Sequence, residues 1–116
     1  MVCAAARVSE YMIEIELARA QTARQNGNLG HARVCARRAA GIAIREWYQR
    51  RAGSGWQGDA LKQLQRLQAD RLAPENVRAA ARRLTTVVDL DHRLPFDDDP
   101  IEDARLIIAA LAKETR

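Results

Sequence analysis

Between Gly27 and Arg51 the chain reads GNLGHARVCARRAAGIAIREWYQRR, in which small residues recur at helical spacing and six arginines occupy the positions between them. Set out at 3.6 residues per turn, Ala32, Cys35, Ala36, Ala39, Ile42, Ala43 and Trp47 fall on one arc. Such a row lets a neighbouring backbone come close, which suits helix-on-helix packing better than a pleated surface. Glu46 falls inside the same arc and needs a cation there, either Arg50 four residues on or an arginine of another helix.

Composition extends that reading to the whole chain. Apolar residues make up 47% and aromatic ones only 4%, so the core must be filled by Ala, Leu, Ile and Val. At 116 residues the chain is the size of one domain, long enough to bury roughly 65% of its unfolded surface. The expectation is an all-α fold over residues 1–116, an up-and-down bundle of four main helices plus one short helix.

The periodicity predicts where those helices lie. The first runs from about Val8 to Gln25, capped by Ser9, with Val8, Met12 and Ile15 beside Ile13, Leu17 and Ala20 as a broad buried stripe. Asn26-Gly27-Asn28 ends it, and the second helix runs from about Leu29 to Ala52. Gly53-Ser54-Gly55 and Gln57-Gly58 break that helix, with Trp56 between them read as a lid over the core or, alternatively, as an exposed contact. Asp59 caps a third helix carrying Leu61, Leu64, Leu67 and Leu72. Pro74 opens a fourth, with Val77, Ala80, Ala81, Leu84, Val87 and Val88 on one face and Arg78, Arg82 and Arg83 on its other sides. After an irregular acidic stretch, Asp99-Pro100-Ile101-Glu102 forms a capping-box signature for a last helix reaching about Glu114.

Charge is divided along the chain. Residues 1–88 hold 15 basic side chains against 7 acidic, a surplus of +8, whereas residues 89–116 hold 4 against 8, or −4. Of the 19 basic residues 17 are arginine, whose planar fork matches phosphate and carboxylate, which allows an anionic partner as the second reading of this surplus. Arginine is also a good helix former on a solvated face, and that is the first reading. Cys3 and Cys35 are too few for a disulfide framework, and Arg7 interrupts the apolar start. A reducing cytoplasm follows as the expected compartment. No apolar run approaches the ~20 residues a bilayer crossing needs, so no membrane association is expected.

The common chemical signatures do not occur. The chain has no GxxxxGK[ST], no GxGxxG and no CxxC. His31 and Cys35 stand four apart on the second helix, but two ligands do not make a zinc site. Asp91-His92-Arg93 with Asp97, Asp98 and Asp99 is the densest titratable cluster, read first as capping and solvation and second as a metal or acid-base site. No metal and no cofactor is expected.

The arginine helix Ala32–Arg51, the GNLGHAR turn before it and the closing helix DARLIIAALAKE together resemble the small bacterial HEPN-type proteins. The likeness covers roughly Val8 to Lys113. That family includes RNA-cutting toxins, nucleotide-binding partners of nucleotidyltransferases and non-catalytic members. The resemblance implies a helical bundle, a homodimer, and either RNA, nucleotide or a nucleotidyltransferase or other protein as partner. Active members carry an Arg, four to six residues and then a His at the start of the last main helix, where two copies meet. Here the one match to that spacing is Arg24 with His31, at the turn between the first two helices. Near the last helix Arg83 stands too far before His92, and Arg93 follows it. The resemblance therefore implies a non-catalytic member.

GNLGHARVCARRAAGIAI also resembles half of a tetratricopeptide unit, an architecture that needs at least three stacked units where this chain shows one. The leading expectation is a binding or regulatory module that contacts RNA or nucleotide through Arg37, Arg38, Arg45, Arg82 and Arg83. The alternatives are a divergent ribonuclease using His31 with Arg24, or His92 with its neighbouring acids, and a protein-protein module that uses the acidic segment Asp89–Asp103.

Overall fold

Helix α1, Ala4–Gln25, stops where Gly27 takes φ +77°, a conformation that costs glycine nothing and other residues a clash. The chain closes that end with Asn28 N–H donating to Ala23 C=O at 2.8 Å, then turns straight into α2, Leu29–Ala52. Helices α3 (Ala60–Ala69), α4 (Glu75–Thr85) and α5 (Pro100–Lys113) follow, which makes two long helices and three shorter ones among the described residues. The computed structural model describes residues 4–52, 58–86 and 99–113. Among them there is no strand, and the molecule is an all-α bundle.

Helix α2 occupies the middle, packed against α1, α3 and α5, while α4 bridges α3 and α5. Its alanine arc is buried as the sequence implies, with Cys35, Ala36 and Ala39 at 0% exposure. Burial extends well past that arc. Ala40, Ile44 and Tyr48 are buried too, and between Ala32 and Gln49 the exposed residues are Val34, Arg38, Arg45 and Gln49, a narrow outward stripe. Three packed neighbours leave a helix few solvated positions, so small residues are needed on several sides at once. The closest approach is at Gly41, where a methyl group would stand 2.9 Å from both Cα and Cβ of Ala60.

Several sequence expectations change in detail. Helix α1 begins at Ala4, so Ser9 lies inside it and is no cap. Its buried row is Ile13, Glu16, Leu17, Ala20 and Ala23, whereas Val8 and Met12 are exposed and Ile15 is half-buried. Two adjacent apolar rows look alike in a sequence, but a helix meets its neighbour along one of them. Leu64 and Leu67 fill the core from α3, while Leu61 is exposed and Leu72, in the turn beyond the helix, is 76% exposed. Pro74 is the residue before α4 and gives its carbonyl to Val77 N–H at 3.1 Å.

Both acidic caps are present: Asp59 accepts from Lys62 N–H at 2.9 Å, and Asp99 from Ile101 N–H at 2.9 Å. Val77, Ala80, Ala81 and Leu84 of α4 meet Ile101, Ala104, Ile107 and Leu111 of α5 in the same core. Val87, Val88, Trp56, His92 and the acidic residues from Asp89 to Asp98 lie outside the described residues. No described helix is long and apolar enough to cross a membrane.

Gly41→Ala tests the close approach. In an open helix that change stabilises by about 1 kcal/mol. Here the added methyl meets backbone and Cβ of Ala60, and overpacking costs about 1–3 kcal/mol. The variant is expected to have a lower denaturant midpoint than the parent chain; a raised midpoint would mean that α2 and α3 are not in this contact.

Candidate anion-binding groove

Many of the arginines that look from the sequence like a solvated coat are ties inside the bundle. Arg33, 5% exposed, donates from Nη2 to the carbonyls of Arg83 and, at 2.9 Å, Thr86. Arg37, one turn on, donates from Nε to Leu84 C=O at 2.6 Å. Together they close the C-terminal end of α4, where unpaired carbonyls and the negative end of the helix dipole favour a cation. Burial lowers the pKa of both guanidiniums, and for Arg33 the neighbouring Arg37 charge adds to the effect.

Arg83 grips Asp103 of α5 through Nε at 3.1 and 3.2 Å and Nη2 at 2.8 Å, a bidentate pair with the carboxylate 7% exposed. Arg78 donates to Gln68 C=O at 3.0 Å at the end of α3. Glu46 takes the nearer of its two expected partners, Arg50 four residues on.

Tyr48, Asp70 and two arginines form a further tie. Tyr48 O–H donates to Asp70 at 2.6 Å, with Arg66 stacked 3.7 Å from the tyrosine ring centre and Arg51 4.3 Å from that of Trp47. Burial and the adjacent carboxylate push the tyrosine well above its ordinary value. For Asp70, burial works upward, but the Tyr48 hydroxyl, the Leu72 N–H and the charges of Arg51 and Arg66 outweigh it and hold the carboxyl below its usual range.

A different set of side chains opens to solvent. Between α1, the middle of α2 and the start of α3 lies a groove of about 530 Å³. Met12 and Ile15 of α1 and Ile42 of α2 line it with apolar side chains, and Gly41, Gly58 and Ala60 line it too. Arg19, Arg38 and Arg45 line it as well. Arg38 and Arg45 stand on the outward stripe of α2, about two α-helical turns apart, because the other sides of that helix are occupied. Arg45 makes no hydrogen bond or ion pair among the described residues.

Among the described residues Glu16 is the one carboxylate in the groove, and it is 6% exposed. Its Oε1 accepts from Arg19 Nη1 at 2.9 Å. Its Oε2 lies 3.9 Å from Arg38 Nη1 and has no hydrogen bond. Among the described residues three guanidiniums against one carboxylate leave the groove electropositive, with apolar side chains lining it as well.

The sequence-nominated residues divide accordingly. Arg38 and Arg45 line the groove, Arg37 and Arg83 hold helices together, and Arg82 is exposed on α4, which contributes nothing to the groove. Arg24 binds Asp99, so it braces the N-terminal cap of α5. His31 sits at the start of α2, its N–H held by Asn28 at 3.1 Å and its Nε2 3.5 Å from the buried Cys35 sulfur. Among the described residues no three His, Cys, Asp or Glu side chains form a group able to hold a metal.

Glu16, Arg19 and Gln63 are groove residues that the sequence reading passed over. Glu16 did carry a signal, since it interrupts the apolar row Ile13, Leu17, Ala20 at helical spacing. Comparison of the chain with protein-family models, with curated proteins and with solved structures gives no match.

The Asp70 pairing has a pH signature. A carboxyl whose folded pKa is depressed adds stability that is complete above its unfolded value, near 4, and is lost as pH falls through the folded value. Tyr48→Phe removes the hydroxyl donor and is expected to cost about 1–2 kcal/mol at pH 7, the lower end of a charged hydrogen bond because Asp70 is partly exposed. The gap between parent and variant should narrow as pH drops from about 5 to about 2 in denaturant titrations. A gap that stays constant with pH would count against the pairing.

Proposed function

We propose that the chain is a binding module without chemistry of its own, which holds a phosphate-bearing ligand, RNA or nucleotide, against Arg19, Arg38 and Arg45. One observation carries this reading: these three guanidiniums line a single groove, whereas Arg33, Arg37 and Arg83 are engaged in holding helices together. Arg45, together with Arg19 and Arg38, whose shared acidic neighbour among the described residues is Glu16, sets guanidiniums in one apolar-lined cleft, an arrangement that suits phosphate recognition. This is also the role that the HEPN resemblance leads one to expect of a non-catalytic member. The ligand's apolar part would lie along Met12, Ile15 and Ile42, and its phosphates would meet the arginines.

Binding of this kind is salt-dependent, because each neutralised phosphate releases counterions. For a single strand with two to three phosphate contacts, affinity is expected to fall about 7- to 20-fold between 50 and 200 mM salt. Replacing Arg38 and Arg45 together by Ala should flatten that dependence by about two contacts, while Arg71→Ala, on an exposed residue away from the groove, should leave it as it was. Fluorescence anisotropy with a labelled single-stranded RNA reads both effects. Absence of RNA and nucleotide binding, or an equal loss in all the variants, would remove the proposal.

A further inference from the structure

The positive charge of the groove stands at two ends. Helices α1 and α2 run antiparallel from the turn at Gly27, so Glu16 and Arg38, each eleven residues from it, stand level. There Glu16 gathers two guanidiniums: its Oε1 accepts from Arg19 at 2.9 Å, and its Oε2 lies 3.9 Å from Arg38. The carboxylate is buried and meets no ligand, whereas the two arginine side chains are more than half exposed. Arg45 stands seven residues further along the same outward stripe of α2, about 10.5 Å at 1.5 Å per residue. Between the two ends lie Ile42 of α2 and Met12 and Ile15 of α1. Among the described residues, two arginines against one carboxylate leave a single net positive charge at the Glu16 end, and Arg45 supplies a single one at the other.

We infer that the groove holds one internal nucleotide of an unpaired RNA strand, with its 5′ and 3′ phosphates at opposite ends and its base on the apolar side chains between them. The inference rests on the binding role proposed above and chooses the strand over the free nucleotide. A free nucleoside di- or triphosphate carries all its phosphates in one chain on the 5′ oxygen. Its whole charge therefore meets one end of the groove and leaves the arginine of the other end unanswered. A strand sets a phosphate on either side of each nucleoside, and that order of anion, apolar body and anion matches the order of charge, apolar lining and charge here. In a duplex the faces of the bases are covered by their stacked neighbours, so only an unpaired nucleotide lays a face on Met12, Ile15 and Ile42. A volume of about 530 Å³ falls within the ordinary range for one small ligand, which suits a single nucleotide of the strand.

Displacement of a labelled single-stranded RNA from the full chain, followed by fluorescence anisotropy at low salt without magnesium, tests this. The competitors are adenosine 3′,5′-bisphosphate, ATP, and unlabelled RNA of one length as a single strand and as a duplex. The bisphosphate and ATP share a base and carry similar negative charge, and they differ in where that charge stands. The bisphosphate is expected to bind at least fivefold tighter than ATP, and the single strand at least tenfold tighter than the duplex. Arg45→Ala should weaken the bisphosphate at least fivefold and ATP at most twofold, because ATP keeps the Glu16 end. The bisphosphate and ATP comparison uses the unaltered protein and holds even if that variant fails to fold. A shortfall in any of these comparisons, including RNA binding that neither small ligand displaces, would overturn the strand assignment and leave the binding role standing. No binding by any nucleotide or RNA would overturn both.

Discussion

Small side chains on α2 let three helices come close to it at once. Ala36, Ala39 and Ala40 have no exposed surface, and Gly41 sits so near Ala60 that even a methyl group has no room. Dense packing of this sort gains dispersion contacts along the whole length of a helix, and it takes the place of the aromatic side chains that this chain mostly lacks. It also fixes the bundle's layout. With α1, α3 and α5 around it, α2 has one narrow side left for solvent, and the residues there are Val34, Arg38, Arg45 and Gln49.

That layout sorts the arginines into two populations. Those on the packed sides of α2 reach past the alanines to the end of α4, where backbone carbonyls without helical partners accept their hydrogen bonds. Arg83 completes the link by joining α4 to Asp103 of α5, so guanidinium groups tie α2, α4 and α5 where apolar contact alone would leave helix ends unsatisfied. The second population stands where α1 and α3 diverge from the solvent side of α2. The groove there borders the same close approach, because Gly41 and Ala60, where α2 and α3 meet, line it together with Met12 and Ile15 of α1.

Much of this was readable from the chain. The bounds of α2, the cap at Asp59 and the cap at Asp99 follow from local chemistry: a turn-forming Asn-Gly-Asn, acidic residues before apolar rows, and prolines at helix starts. Local chemistry does not reveal where a long side chain ends. Arg37 and Arg38 are neighbours in sequence and alike in type, yet one closes α4 and the other lines the groove, because 100° of helical rotation points them at different partners. For the same reason the Val8, Met12, Ile15 row read as core, since choosing between two adjacent rows needs the position of α2. Glu16 was the readable exception, a charge on a buried row whose purpose is visible only once Arg19 and Arg38 are in place.

Native-state amide hydrogen exchange bears most directly on the place of α2 in the bundle. If its small-residue surface is what the other helices pack upon, the amides from Ala36 to Ile44 can open only when the whole molecule unfolds. Their exchange free energies are expected to equal the global unfolding free energy from denaturant titration and to exceed those of α1 and α5. Exchange of these amides by local opening, with α4 or α5 still protected, would contradict it.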